Sequence, residues 1–232
     1  MIQANLETIR NKIDGAVKRR SGSKETGETV HLIAVTKTHP AEAVKEALQA
    51  GLHVFGENKV QEAEEKIPLV GGGQWHLIGH LQTNKVKKAV SLFSLIYSVD
   101  SIKLLEAIDK AAGEQGKIQS ILLQVNIAEE ESKFGLSERK LPDILNVMER
   151  YKNVILRGLM IIAPEVENPE DIRCVFKKGY DCFCHLKSRS IKNSDIDILS
   201  MGMSGDYEIA VEEGANNIRL GSVLFGPRDY TR

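Results

Sequence analysis

Apolar residues in the first twenty positions fall at Ile2, Leu6, Ile9, Ile13 and Val17. Spacings of three and four put them on one face of a helix, so an amphipathic helix is predicted over about residues 2–20. The polar run SGSKETGET (21–29) ends it. From His31 the pattern changes to short apolar runs rich in β-branched residues, at 31–37, 53–57, 74–79, 95–100, 120–126, 155–162, 196–202 and 217–223. Between them lie helical patterns over 41–50, 59–66, 84–92, 102–116, 137–151, 169–191 and 207–213. That alternation signals parallel βα units. Eight strands without a Pro/Ser-rich linker predict an α/β fold, a single (β/α)8 TIM-type barrel over about 31–226 with an extra N-terminal helix. An open doubly wound sheet commonly stops at five or six strands. The whole chain, 1–232, reads as one domain.

Composition removes several function classes. With 31 basic and 32 acidic side chains the net charge is -1, so no basic field exists to hold nucleic acid or an anionic membrane. The clusters Lys18-Arg19-Arg20 and Lys85, Lys87, Lys88 read as solvated helix faces. No apolar run is long enough to span a bilayer, and MIQANLETIRNKI lacks a secretory pattern, so a cytoplasmic location is expected. Cys174, Cys182 and Cys184 are an odd, late-clustered set that fits a reducing compartment. Cys182, Cys184 and His185 have no second ligand pair, and helical positions two apart diverge, so no metal site is expected.

In such a barrel, reactive groups belong at the C-terminal ends of the strands. The first run, HLIAVTK, ends in Lys37, whose amine would enter a partly desolvated mouth and become a nucleophile toward an aldehyde or ketone. Taken alone, a strand-end lysine reads first as a charge leaving for solvent. The ends of the seventh and eighth runs change that reading. SMGMSGD puts Ser204 and Gly205 just before a helix starting near Tyr207, and RLGS offers Gly221 and Ser222. Loops after strands seven and eight recur as the phosphate site of this barrel. A reactive lysine facing a phosphate cradle points to pyridoxal 5'-phosphate (PLP) or to a phosphorylated sugar held by an aldolase-type Schiff base. Arg219, two residues before Gly221, can point inward by strand alternation. A guanidinium there would leave a pyridine nitrogen unprotonated and the cofactor a weak electron sink.

The strings HLIAVTKTHP, FGENKVQE, WHLIGHLQTNK, VNIAEEESKFG, LRGLMII and LSMGMSGDYEIAVEEGANNIRLGSVLFG run in order over about 31–227. Together they resemble the YggS/PROSC family of PLP homeostasis proteins. The resemblance implies the fold of the alanine racemase N-terminal barrel, that of the fold-type III PLP proteins. It also implies covalent PLP binding and a part in controlling the free cofactor, without an established enzymatic activity. Position by position, Lys37 matches the Schiff-base lysine. Ser204, Gly205, Gly221 and Ser222 match the phosphate loops, and Arg219 the arginine near the pyridine nitrogen. Asn58 and His80 are expected to line the cofactor, and Met203 to pack on its ring or serve as a core methionine. His39 stands where relatives commonly carry lysine, and Gly205 where many carry an acidic residue, a change expected to ease phosphate approach.

The remaining conspicuous residues have plainer readings. Trp75 and His76 are expected to pack or hydrogen-bond, Glu129 to Glu131 to form a solvated loop with Lys133, and Gly71 to Gly73 to turn the chain at the far end of the barrel. The leading function is a PLP carrier or homeostasis protein without a committed reaction, with PLP-dependent apo-enzymes as candidate recipients and a monomer or weak dimer as its state. The alternatives are an amino-acid racemase of alanine racemase type and a sugar-phosphate aldolase. Racemisation normally needs a base on each face of Cα. Only nine residues follow Val223, and Tyr230 among them is expected to be an exposed terminal side chain, which weighs against the racemase.

Overall fold

The computed structural model describes residues 1–128, 134–164 and 166–226. Eight parallel strands close into a barrel in chain order: β1 (His31–Val35), β2 (Val54–Glu57), β3 (Gln74–Leu77), β4 (Leu95–Val99), β5 (Gln119–Val125), β6 (Val154–Ile161), β7 (Ser194–Ser200) and β8 (Asn217–Leu220). β8 closes on β1 with Ile33 opposite Arg219 and Ala34 opposite Leu220. Alternation then sorts the side chains. Ile33, Val35, Ile78, Leu95, Tyr97, Leu122 and Met160 fill the barrel interior, while Phe55, Leu77, Ile96, Ile121 and Leu123 face the helices. Each large aliphatic side chain buried this way contributes about 1.5–3 kcal/mol. Trp75 packs on Phe55 with ring centroids 5.2 Å apart, as expected of a packing residue.

The covering helices are α2 (Ala41–Gln49), α3 (Val60–Val70), α4 (Val86–Leu92), α5 (Ile102–Glu114), α6 (Leu141–Val147), α7 (Arg173–Lys187), α8 (Tyr207–Glu212) and α9 (Ser222–Phe225). Ahead of the barrel, α1 (Ile2–Lys18) buries Ile2, Leu6, Ile9, Ile13 and Ala16, with Val17 only partly buried. It packs against α8 and α9, and Asn5 Nδ2 donates to the Leu224 carbonyl at 2.9 Å. Arg20 corrects the solvated reading of its cluster: its guanidinium is partly buried and donates to the carbonyls of Val211 at 2.8 Å and Ala215 at 2.9 Å. Arg19 pairs with Glu208 and Glu212.

The other departures sit at element ends. β1, β3 and β8 stop two or three residues short of the apolar pattern, because the chain bends into the mouth loops there. Ser222 and Val223, read as strand, open α9, where Leu224 N–H donates to the Gly221 carbonyl at 2.9 Å. α3 continues past Lys66 and through Pro68, whose missing N–H falls in an exposed last turn. The pattern over 137–151 breaks into α6 flanked by 3-10 turns at 138–140 and 148–150, and 169–191 contracts to a turn followed by α7. No helix among the described residues is long and apolar enough to cross a membrane.

Candidate functional site

The barrel interior becomes polar toward the C-terminal ends of the strands. Arg219 on β8 points inward and is 5% exposed. Its Nη1 donates to Ser200 Oγ on β7 at 2.7 Å and its Nη2 to the Ile161 carbonyl on β6 at 3.0 Å. Among the described residues it has no ion-pair partner. Burial lowers its pKa to about 10, while Tyr97 and Asp206 pull the other way, so it keeps its proton at neutral pH. Tyr97 on β4 is fully buried, which raises its pKa, and Arg219 opposes that rise. The Tyr97 hydroxyl lies 3.1 Å from His76 Nδ1, and burial lowers the His76 pKa to about 4. Neutral His76 and Tyr97 thus form a polar layer beneath the mouth, in line with the hydrogen-bonding role read for His76.

Lys37 follows β1. Thr36 N–H still donates to the Gly56 carbonyl at 3.0 Å, so the ladder holds through Thr36, whose hydroxyl turns outward to Glu57. Ile33 and Val35 face inward, and alternation brings Lys37 to the same inner face, half-buried at the rim. Val35 is also the neighbour of Gly221: a β-carbon there would meet the Val35 carbonyl at 3.4 Å. Lys37 and the loop after β8 therefore share one side of the mouth.

The loops after β7 and β8 are tied together, because Gly221 N–H donates to Ser204 Oγ at 3.4 Å. Asp206 Oδ1 accepts from Met203 N–H at 2.5 Å and braces the same turn. Burial raises the Asp206 pKa against the pull of that hydrogen bond and of Arg219. The backbone N–H groups of Ser204, Gly205 and Ser222, on the two tied loops, donate to no acceptor among the described residues. The two glycines of SMGMSGD differ. Gly202 has φ 93°, and a β-carbon there would stand 2.6 Å from that of Ala210. Gly205 has open space at that position, so no protein atom stands where a side chain would go.

Asn58 and His80 reach the mouth from β2 and β3. Gly79 lets the two loops touch, since a β-carbon on it would lie 2.3 Å from the Asn58 carbonyl oxygen. His80 stacks on Phe134 at 4.0 Å between centroids, and its Nδ1 lies 3.6 Å from Asp100 Oδ2. Met203 is 39% exposed on the β7 loop, so it is not a core methionine. His39 packs on Phe225 at 4.7 Å. All nine residues singled out from the sequence thus lie at one end of the barrel. The sequence reading missed Ser200, Tyr97 and Asp206; the alternation that turned Arg219 inward reaches Ser200 two residues before Gly202. Elsewhere, Cys174, Cys182 and Cys184 are free, and burial pushes the Cys182 thiol up to about 12. Glu129 to Glu131, Lys133 and Tyr230 lie outside the described residues.

Comparison with known proteins gives a consistent picture. The family described as "Alanine racemase, N-terminal domain" matches residues 2–229. The "Pyridoxal phosphate homeostasis protein" of Aquifex aeolicus is 37% identical over 227 residues, 97% of each chain. The solved structure of PipY from Synechococcus elongatus PCC7942 without PLP matches with a TM-score of 0.85 and 38% identity, covering 97% of this chain and all of that one. The same protein with PLP bound matches with a TM-score of 0.82, 37% identity and the same coverage.

Proposed function

Since the chain belongs to the pyridoxal phosphate homeostasis proteins, a family built on the alanine racemase N-terminal domain, we propose that it holds PLP at the barrel mouth through Lys37. The carrying observation is the joint placement, at one end of the barrel, of three backbone donors and an inward guanidinium that have no acceptor or counter-ion, respectively, among the described residues, together with a rim lysine. That donor set suits an anion at one end, an aromatic nitrogen acceptor near Arg219 and a carbonyl at Lys37. PLP supplies an aldehyde that condenses with the neutral lysine amine, releasing one water, and a phosphate that anchors it.

In this reading the N–H groups of Ser204, Gly205 and Ser222 take the phosphate, with Gly221 held in place by Ser204. Arg219 donates a hydrogen bond to the ring nitrogen and keeps its proton, since its pKa stays near 10. Asn58, His80 and Met203 line the opening. An arginine that withholds its proton would leave the ring a weak electron sink, and the name of the relatives supports a homeostasis protein rather than an enzyme. PLP-dependent apo-enzymes are the proposed recipients. The three free cysteines support a reducing, cytoplasmic setting, and we place the protein there as a monomer or weak dimer.

Titration with PLP, followed by visible absorbance, tests the reading. A saturable band that is absent in Lys37→Ala, and loaded protein that restores an apo-enzyme, are expected. A wild-type protein without any band would overturn the cofactor assignment. Exchange of the Cα proton of amino acids at enzymatic rates, lost in Lys37→Ala, would overturn the non-enzymatic part.

A further inference from the structure

Behind Lys37, on the outer face of the barrel, lies a cluster of charges that the cofactor site does not use. Lys66 occupies the buried stripe of α3 between Ala63 and Val70 and is 6% exposed. Its Nζ donates to the Thr36 carbonyl at 2.7 Å, to Glu57 Oε1 at 2.6 Å and to Glu62 Oε1 at 2.9 Å. Glu57 is fully buried, and its Oε1 also accepts from the Thr36 hydroxyl at 2.6 Å. Glu62 Oε1 accepts from Thr38 N–H at 2.6 Å. The residue before Lys37 is therefore held at its carbonyl and hydroxyl, and the residue after it at its amide. Thr38 itself sits at φ 66°, a left-handed conformation that a β-branched residue rarely adopts.

Packing alone does not require this arrangement, since a buried ion cluster is often replaceable by apolar side chains without loss of stability. What the cluster specifies is the path of the chain through residues 36–38. We infer that Glu57, Glu62 and Lys66 are positioning residues for Lys37, fixing the turn that aims its amine into the mouth. This rests on Lys37 being the covalent attachment point. Burial holds the Glu57 carboxyl above the usual carboxylate range against the pull of Lys66, consistent with a cluster assembled for geometry rather than for net attraction.

Glu62 is the informative position, because it is only partly buried and its replacement leaves the Glu57–Lys66 pair in place. In Glu62→Ala the Thr38 amide loses its acceptor, whereas Glu62→Gln keeps a carbonyl oxygen there. In the full-length protein, the rate at which PLP attaches to Lys37 is measured by stopped-flow absorbance and borohydride trapping, and exchange of the Thr38 amide is followed without PLP. Glu62→Ala is expected to slow attachment about tenfold or more and to expose the Thr38 amide, with Glu62→Gln close to wild type. Attachment in Glu62→Ala at the wild-type rate, or Glu62→Gln as slow as Glu62→Ala, would overturn the positioning role alone. Wild-type protein trapped at a lysine other than Lys37 would overturn the parent reading and this one with it.

Discussion

Arg219 on β8 and Ser200 on β7 are joined inside the barrel by a 2.7 Å hydrogen bond between a guanidinium and a hydroxyl. The bond, with the one to the Ile161 carbonyl, holds both Nη atoms of the fork. Ser200→Ala should cost about 1–3 kcal/mol, because a buried charged donor loses its acceptor. Urea denaturation measures this loss. Arg219→Lys should cost a comparable amount, since an ammonium cannot span both acceptors. Equal stability in Ser200→Ala would mean that Arg219 is held by other means.

The glycines of the β7 loop give a paired test. Gly202→Ala combines a left-handed backbone with a 2.6 Å contact to Ala210 and should cost about 1–3 kcal/mol or more. Gly205→Ala meets open space and should stay within about 0.5 kcal/mol of wild type. Thermal melts of the two variants check the contrast.

Ser204 can be separated from the rest of the site by comparing PLP with pyridoxal, which lacks the phosphate. Ser204→Ala should weaken PLP about three- to tenfold by loosening the Gly221 tie, with little change for pyridoxal. An equal loss for both ligands would place Ser204 away from the phosphate.

His76 predicts a pH dependence of folding. Its folded pKa, about 4, is depressed below the ordinary 6.5. The unfolded chain therefore takes up the proton first. The stability of the neutral ring is fully present above pH 6.5 and is lost as pH falls toward 4. The slope should be about 1.4 kcal/mol per pH unit in that window, amounting to about 3 kcal/mol. Denaturation curves from pH 7 to 4 should show this slope in wild type and lack it in His76→Gln.

The barrel was legible in the sequence because inner and outer faces alternate in apolar runs such as HLIAV and SILLQV, and the helices between them carry their own period. The same alternation correctly turned Arg219 inward. The strand ends were less legible, because Val223 continues an apolar run that the chain abandons for α9 at Ser222. The Lys66 cluster was hidden for a different reason. Its members are charged residues in a helix and a strand end, which resemble solvated surface until folding brings Glu57, Glu62 and Thr36 around one ammonium.

Lys37 is the proposed attachment point of the cofactor. Protein loaded with PLP, reduced with borohydride, digested and mapped by mass spectrometry should yield one modified peptide carrying the label on Lys37, and Lys37→Ala should retain its fold but take up no label. Label spread over surface lysines such as Lys45 and Lys87 with Lys37 unmodified, or undiminished labelling in Lys37→Ala, would contradict it.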